Sequence, residues 1–401
     1  MVPYADRMNV AEEENRKLRS LTGSLMAKDM VSFAAGAPAL EAYPLDALRE
    51  ISQDIFQPGA VGYETMKYGS TYGVLALREA VRDQLLAPRG LQLDVENIMI
   101  TAGGIQPMNF MCQLFINPGD VILVESPSFM HASMIFKLFE AKLVPCRMDD
   151  NGLVTEDVES NIKKYNPKMI YTMPTFQNPT GVTLSLDRRK RLAELASQYD
   201  VLVLEDDPYR EIRYSGGHLP PVKAFDETGH VVFVNSFSKI FSPGSRLGYI
   251  AASKEIMGKL DTVKLATDTC TSTISQVLCA EFFKRGYYSQ HLENLCNLYR
   301  DRRDAMLEAL DAYFPEGARH TVPDGGYYVW AELPEPLDAE ALSGEVADSL
   351  GISYGFGSAF YSEGNPPGAG SRCMRLNFSG LPEEIISANI KKLGDFFKSK
   401  L

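Results

Sequence analysis

What the sequence has little of narrows it first. Five histidines and six cysteines are scattered through 401 residues. They form no C-x-x-C pair, no H-E-x-x-H and no other metal-ligand spacing, so no metal is expected. The cysteines (Cys112, Cys146, Cys270, Cys279, Cys296 and Cys373) are too widely and irregularly spaced for a disulfide framework. They read as buried, reduced thiols, which fits a cytoplasmic compartment. No apolar run approaches the ~18 residues that suggest a membrane helix. The N-terminal stretch MVPYADRMNVAEEENRK is polar and acidic, without the apolar core of a signal peptide. Positive charge is also short: 40 Lys and Arg stand against 52 Asp and Glu, a net charge of −12. With no basic cluster interleaved with aromatics, neither a nucleic-acid nor a membrane partner is expected. What remains is an ordinary soluble composition, 45% apolar and 23% charged, long enough for two or three domains and a large core.

Residues 9–28 predict a helix, interrupted at Gly23, whose glycine disfavours a continuous helical interior. VSFAAGAPALEAYP follows as a short strand and a loop, and Pro44 with Asp46 opens the helix LDALREISQDIF. From about residue 97 seven short apolar runs recur: NIMITAG, VILVES, KLVPCRM, MIYTMP, VLVLEDD, VVFVNSF and LGYIAAS. Most are apolar throughout rather than alternating, as expected of strands with helices on both faces of a parallel sheet. Helix-like segments such as PMNFMCQLF, HASMIFKLFEA and LDRRKRLAELASQYD separate them, so the class is α/β. Only about nine residues separate the last two runs, too few for a parallel crossover, which predicts antiparallel neighbours. Beyond residue 272 a long helical stretch leads into a region mixing strands (GGYYVWAEL, CMRLNFS) with helices and a Gly/Pro-rich loop, YGFGSAFYSEGNPPGAGSR.

Four of the strands end in polar or Gly-rich residues, where ligands bind in an open α/β sheet. The stretch SFSKIFSPGSRLGY carries Lys239 at the end of a strand. Burial there favours the neutral amine, which can add to a carbonyl and form a Schiff base. Arg246 lies nearby with a fixed charge suited to phosphate, and Ser236, Ser238, Ser242 and Ser245 add hydroxyl donors. An amine nucleophile beside an anion clamp is what pyridoxal phosphate needs; two solvated cations at a strand end explain the same residues. After NIMIT, Gly103 and Gly104 permit close backbone approach ahead of a helix N-terminus, or simply make a turn. After MIYTMP, TFQNPTG places Asn178 where a turn requires only the following Pro and Gly. After VLVLE come Asp206, Asp207, Pro208 and Tyr209. The acid is either a turn cap or a carboxylate that keeps a pyridine nitrogen protonated.

In this order, the glycine loop, NPTG, DxxY and SxSK with its downstream Arg and LGY resemble the fold-type I pyridoxal-phosphate-dependent aminotransferases of class I/II. Nearly the whole chain is covered. QNPTG, EDDPYREI and SPGSRLGY are most similar to the 2-aminoadipate and kynurenine-type members. The resemblance implies a large domain over residues 46–285, with a mostly parallel seven-stranded sheet covered by helices. A smaller α+β domain would be built from both chain ends: 1–45, an N-terminal arm and part of that domain, and 286–401. It implies pyridoxal 5'-phosphate as cofactor and amino transfer between an L-amino acid and a 2-oxo acid, with 2-oxoglutarate and glutamate as one pair. By position, Lys239 matches the Schiff-base lysine that also moves the proton, and Asp206 the partner of the pyridine nitrogen. Asn178 and Tyr209 match the groups on the phenolic oxygen. Gly103, Gly104 and Ile105 match the phosphate loop, which Ser236, Ser238 and Arg246 complete. Phe129 takes the ring-stacking place, Arg375 binds the substrate carboxylate with Asn178 beside it, and Gly36 supplies a backbone contact there. Tyr68 matches a tyrosine reaching the neighbouring subunit's phosphate, which implies a homodimer. Two positions depart from the pattern: Gly-Gly-Ile at 103–105 replaces the commoner GSQ, and Phe129 replaces the commoner Tyr, so one phosphate donor and one hydroxyl are missing.

A lyase or decarboxylase on the same scaffold is the rival reading, because fold does not fix which bond to Cα breaks. A regulatory effector-binding domain is a third, set against the acidic charge and the short stretch before residue 30. Arg16, Lys17 and Arg19 either meet a distal substrate carboxylate or form a solvated helix face.

Overall fold

The computed structural model describes residues 30–401 apart from 35, together with residues 2, 4, 5, 7–9, 12 and 15. The helix expected over 9–28 therefore falls almost wholly outside the described residues, and Arg16, Lys17, Arg19 and Gly23 lie among those not described. A two-residue strand, β1 (Val31–Ser32), comes first, followed by helix α1 (Leu45–Ile55), which begins directly after Pro44. Two short helices follow, α2 (Ala60–Thr65) and α3 (Leu75–Ala80), the second continued by a π-helical stretch over Val81–Leu86.

The seven apolar runs are strands: β2 (Ile98–Thr101), β3 (Val121–Ser126), β4 (Lys142–Asp149) and, after a two-residue β5 (Gly152–Leu153), β6 (Met169–Thr172), β7 (Leu202–Asp206), β8 (Val231–Ser236) and β9 (Gly248–Ala251). They form one sheet in the order β2-β9-β8-β7-β6-β3-β4-β5. The sheet has eight members rather than seven because β5 folds back antiparallel onto the end of β4, a hairpin too short to show as an apolar run. β4, β3, β6, β7 and β8 are parallel neighbours, and β9 is antiparallel to both β8 and β2. The short connection between β8 and β9 thus gives the expected antiparallel pair.

Helices α4 (Ile105–Phe115), α5 (Met130–Leu138), α6 (Thr155–Tyr165) and α7 (Leu186–Tyr199) alternate with the strands. Successive strand residues point to opposite faces. Ile122, Val124 and Leu204 accordingly pack with Met108 and Phe136 in one core, while Leu123, Val203 and Ile170 pack with Ile162 and Leu192 in another. Both faces are covered, which is why these strands read as unbroken apolar runs.

The long helical stretch after residue 272 is not one helix. α8 (Lys254–Thr267) precedes it, and the stretch itself divides into α9 (Thr273–Lys284) and α10 (Tyr287–Tyr313). The break is at Gly286, whose φ of +79° is left-handed and readily adopted only by glycine. Downstream are β10 (Arg319–His320), β11 (Tyr328–Glu332), helix α11 (Ala339–Leu350), β12 (Ile352–Ser353), β13 (Gly355–Phe356), β14 (Cys373–Asn377) and helix α12 (Glu383–Lys398). A second, antiparallel sheet runs β10-β11-β14-β13, and β12 pairs in parallel with β1, so residues 31–32 join the C-terminal part of the chain. Asp338 caps α11 by accepting from the Ala341 amide at 2.9 Å.

The end of β7 separates the two adjacent acids by the same alternation. Asp206 faces a cavity at the carboxyl ends of the strands. Asp207 turns away and is fully buried, 3.2 Å from the Arg210 guanidinium and accepting from Thr175 Oγ1. Removing one partner of a buried ion pair leaves the other charge desolvated and unpaired. Asp207→Ala should therefore lower the unfolding free energy by about 3 kcal/mol, read from the urea midpoint of the cofactor-free protein. A loss under about 1 kcal/mol, typical of an exposed pair, would contradict this account of Asp207.

Candidate active site

The cavity encloses about 460 Å³ where β2, β6, β7 and β8 end. β8 runs into a single 3-10 turn, Phe237–Lys239, capped by the Ser236 hydroxyl, which accepts from the Ser238 amide at 3.1 Å. That turn delivers Lys239 to the cavity wall. Its Nζ donates to the Gly36 carbonyl at 2.9 Å and lies 5.2 and 5.6 Å from the ring centres of Tyr327 and Tyr209. Burial first, and then the charge of Arg375, lower its pKa from the ordinary lysine value to about 8. The neutral amine is thus far more accessible near physiological pH than in an ordinary lysine, although the protonated form still predominates.

One β-strand over, Asp206 lines the cavity and accepts from Tyr171 Oη at 2.8 Å through Oδ2. Burial raises its pKa to about 8 against the lowering effect of that hydrogen bond, and Asp207 and Glu125 raise it further. Among the described residues no cation pairs with Asp206. A positively charged ring nitrogen brought beside it would supply one.

A second corner is built for an anion. Gly103 has φ +78°, and a Cβ on it would lie 2.5 Å from Arg246 Nη2, so glycine here admits the guanidinium as well as the turn. Gly104 and Ile105 begin α4, whose first amides lack helical acceptors. The buried hydroxyls of Ser236 and Ser238 lie 2.7 Å apart in the same corner. Arg246 sits at the mouth, exposed and held by long contacts to the carbonyls of Ala102 and Pro243 at 3.5 Å. The Gln106 side chain accepts from the Ala102 amide at 2.8 Å and donates to Asp268 at 2.8 Å, and Asp268 in turn pairs with the buried Lys264. The loop is therefore braced from behind.

The third corner is Arg375, carried on β14 opposite Trp330 of β11. Nη1 donates to Asn178 Oδ1 at 2.9 Å and Nη2 to the Ala34 carbonyl at 2.6 Å. The guanidinium is stacked between Tyr328 and Phe360, 4.4 and 4.8 Å from their ring centres. Among the described residues its buried Nε has no partner, a donor that a ligand carboxylate would satisfy. Gly36 is required beside it, because a Cβ there would run into the Tyr328 hydroxyl. Asn178 is held through its neighbour: Gln177 donates to Glu125 Oε2 at 3.0 Å, and Glu125 Oε1 accepts from Thr172 and the Met173 amide.

Of the residues singled out from sequence, Gly36, Gly104, Ile105, Phe129, Asn178 and Asp206 line this one cavity. Tyr209, Ser236, Ser238, Lys239, Arg246 and Arg375 line it too. Gly103 backs it through Arg246. Tyr68 does not: it is 92% exposed and stands away from the cavity of its own chain. Sequence reasoning missed Tyr171, Tyr328, Phe360 and His131. Tyr171 and Tyr328 read as ordinary strand aromatics, Phe360 lies in the Gly/Pro-rich loop, and the sole signal at His131 was its neighbour Phe129, whose ring centre is 5.3 Å away.

Comparison with known proteins agrees with this geometry. The family described as "Aminotransferase class I and II" matches residues 28–393. The aromatic-amino-acid aminotransferase 1 of Thermococcus litoralis is 38% identical, over 96% of this chain and 92% of its own length. The crystal structure of Pyrococcus horikoshii kynurenine aminotransferase, solved with PMP, superposes with a TM-score of 0.90 at 37% identity, covering 96% of this chain and 95% of that one. That of alpha-aminoadipate aminotransferase from Thermus thermophilus, complexed with N-(5'-phosphopyridoxyl)-L-leucine, gives 0.86 at 31% identity, covering 96% and 97%.

Proposed function

We infer the roles of the cavity's side chains from a fixed premise: the chain belongs to the class I and II aminotransferases, pyridoxal-phosphate enzymes that move an amino group between an amino acid and a 2-oxo acid. When bound, pyridoxal phosphate supplies a carbonyl for amines to add to and an electron-withdrawing ring that stabilises charge at the substrate Cα. The three corners fit its three functional ends. The observation that carries the reading is the spacing of one desolvated amine, one buried carboxylate and one partly unsatisfied guanidinium around a single cavity.

In this proposal Lys239 Nζ would be the amine that holds the cofactor's carbonyl carbon, and its free amine would be the base placed to take the proton from the substrate Cα. Its lowered pKa makes both roles accessible near neutral pH. Asp206 holds the proton on the pyridine nitrogen. Gly103, Gly104, Ile105, Ser236, Ser238 and Arg246 hold the phosphate, with backbone amides standing in for the missing loop hydroxyl. Asn178 and Tyr209 hydrogen-bond the ring hydroxyl, and Phe129 packs on the ring face. Arg375, steadied by Asn178, the Ala34 carbonyl and two aromatic rings, fixes the substrate α-carboxylate next to Gly36. The proposed exchange pair is glutamate and 2-oxoglutarate. Among the described residues no helix is long and apolar enough to cross a membrane, and the six cysteines are unpaired, which supports a cytoplasmic location.

Borohydride reduction of the loaded enzyme should fix the cofactor to the peptide containing Lys239. Lys239→Ala should still bind pyridoxal phosphate, give no reducible lysine adduct, and lose turnover by orders of magnitude. Attachment to a different lysine would overturn the assignment.

We further propose a homodimer with shared sites. An aromatic side chain 92% exposed is suited to burial against a partner, and in this proposal the Tyr68 hydroxyl reaches the phosphate bound by the second copy. Inactive Tyr68→Ala and Lys239→Ala proteins, mixed and allowed to exchange subunits, should regain part of the wild-type activity, since one hybrid site then contains both native residues. No recovery despite demonstrated exchange, or full activity from a monomer, would sink the shared site.

A further inference from the structure

Tyr171 lies on β6, fully buried, with its ring edge-on to Phe136 at 5.3 Å between ring centres. A phenylalanine would satisfy that apolar packing equally well. The hydroxyl is different. It is a polar group in the interior of the sheet that needs a partner, and its partner is Asp206, whose Oδ2 accepts at 2.8 Å. Tyr171 does not line the cavity, so it has no direct access to a bound ligand and acts only through the carboxylate.

The surroundings of Asp206 make that single donor consequential. Glu125 on β3, two strands over, and Asp207, the next residue in the chain, both disfavour added negative charge there. Among the described residues no cation forms an ion pair with Asp206, and Oδ1 has no hydrogen-bond partner. Left to burial and these neighbours, the carboxyl keeps its proton near neutrality, with a pKa of about 8 even with the phenol in place. A neutral carboxylic acid facing a neutral pyridine would forfeit the charged ring that draws electrons from the substrate.

We infer that Tyr171 is a positioning residue that decides where this shared proton resides: its hydroxyl donates to Asp206 Oδ2, favours the carboxylate, and so keeps the proton on the cofactor's ring nitrogen. The inference rests on the reading of Asp206 as that nitrogen's partner. No bond is made or broken beyond the transfer of one proton between Asp206 and the nitrogen.

The test uses the cofactor-free full-length protein and two probes, pyridoxal phosphate and its 1-deaza analogue, in which the ring nitrogen is replaced by C–H. Both retain the phosphate, the aldehyde and the ring hydroxyl. Wild type should prefer pyridoxal phosphate, and Asp206→Ala should erase that preference. Tyr171→Phe should reduce it by about tenfold, the order of one hydrogen bond to a charged acceptor, while leaving affinity for the deaza analogue unchanged. The unchanged arm also establishes that the variant is folded. Equal weakening of both probes by Tyr171→Phe would mean the residue acts by packing and would overturn the inference, as would an undiminished preference. A preference that survives Asp206→Ala would instead overturn the assignment of Asp206, and the inference with it.

Discussion

Desolvation of polar groups at the carboxyl ends of the central strands is the constraint on which the structure turns. A parallel sheet covered on both faces leaves its strand ends as the place where buried backbone gives way to side chains with chemistry. Lys239, Asp206 and the Nε of Arg375, which has no partner among the described residues, are all held there in states that water would stabilise better. Each is tolerated because neighbours over-determine its position. A capped 3-10 turn sets Lys239, the strand register sets Asp206, and two rings with two acceptors set Arg375. Two buried charged groups away from the cavity are well supplied with partners instead. Glu205 accepts from the Val222 and Lys223 amides, and the buried Arg189 donates to three carbonyls and one hydroxyl.

The contrast between Asp206 and Asp207 shows how the fold assigns roles. The two are chemically identical and adjacent. One residue of strand alternation sends the first to the cavity and the second to Arg210. Proximity in sequence carries no functional information here; side-chain direction does. A similar division holds at Gly36, where the absent side chain lets the Tyr328 hydroxyl approach the same backbone whose carbonyl accepts from Lys239. Tyr328 also contacts Tyr209 and covers Arg375, so the second sheet and the strand ends meet through one aromatic side chain.

Much of this was legible before the structure. Most of the seven large-sheet strands stood out as apolar runs because both their faces are buried, and the β8–β9 pairing followed from a connection too short to cross over. Twelve of the residues named from the strand-end patterns and the family resemblance line one cavity. What stayed hidden has physical reasons. β5 is two residues long and leaves no pattern. Gly286 lies inside a stretch whose periodicity is helical on both sides, so only its backbone angle reveals the break. Tyr171 and Tyr328 belong to strands in which an aromatic residue is ordinary, and nothing local distinguishes a phenol with a partner from a ring that merely packs. Phe360 reaches Arg375 from a loop whose glycines and prolines advertise irregularity rather than contact.

If desolvation at the strand ends is accepted for function, relieving it should stabilise the empty protein. The direct measurement is the unfolding free energy of cofactor-free Lys239→Met against cofactor-free wild type as pH is varied. At pH 7 wild-type Lys239 is protonated in both the folded and unfolded states and carries the full burial penalty, so the variant should be more stable by on the order of 1–3 kcal/mol. As pH rises above about 8, folded wild type loses the proton that the unfolded chain still holds. Its stability therefore rises, and the variant's advantage should shrink toward zero in the ordinary lysine range. A variant less stable than wild type at pH 7, or an advantage that does not change with pH, would contradict the account.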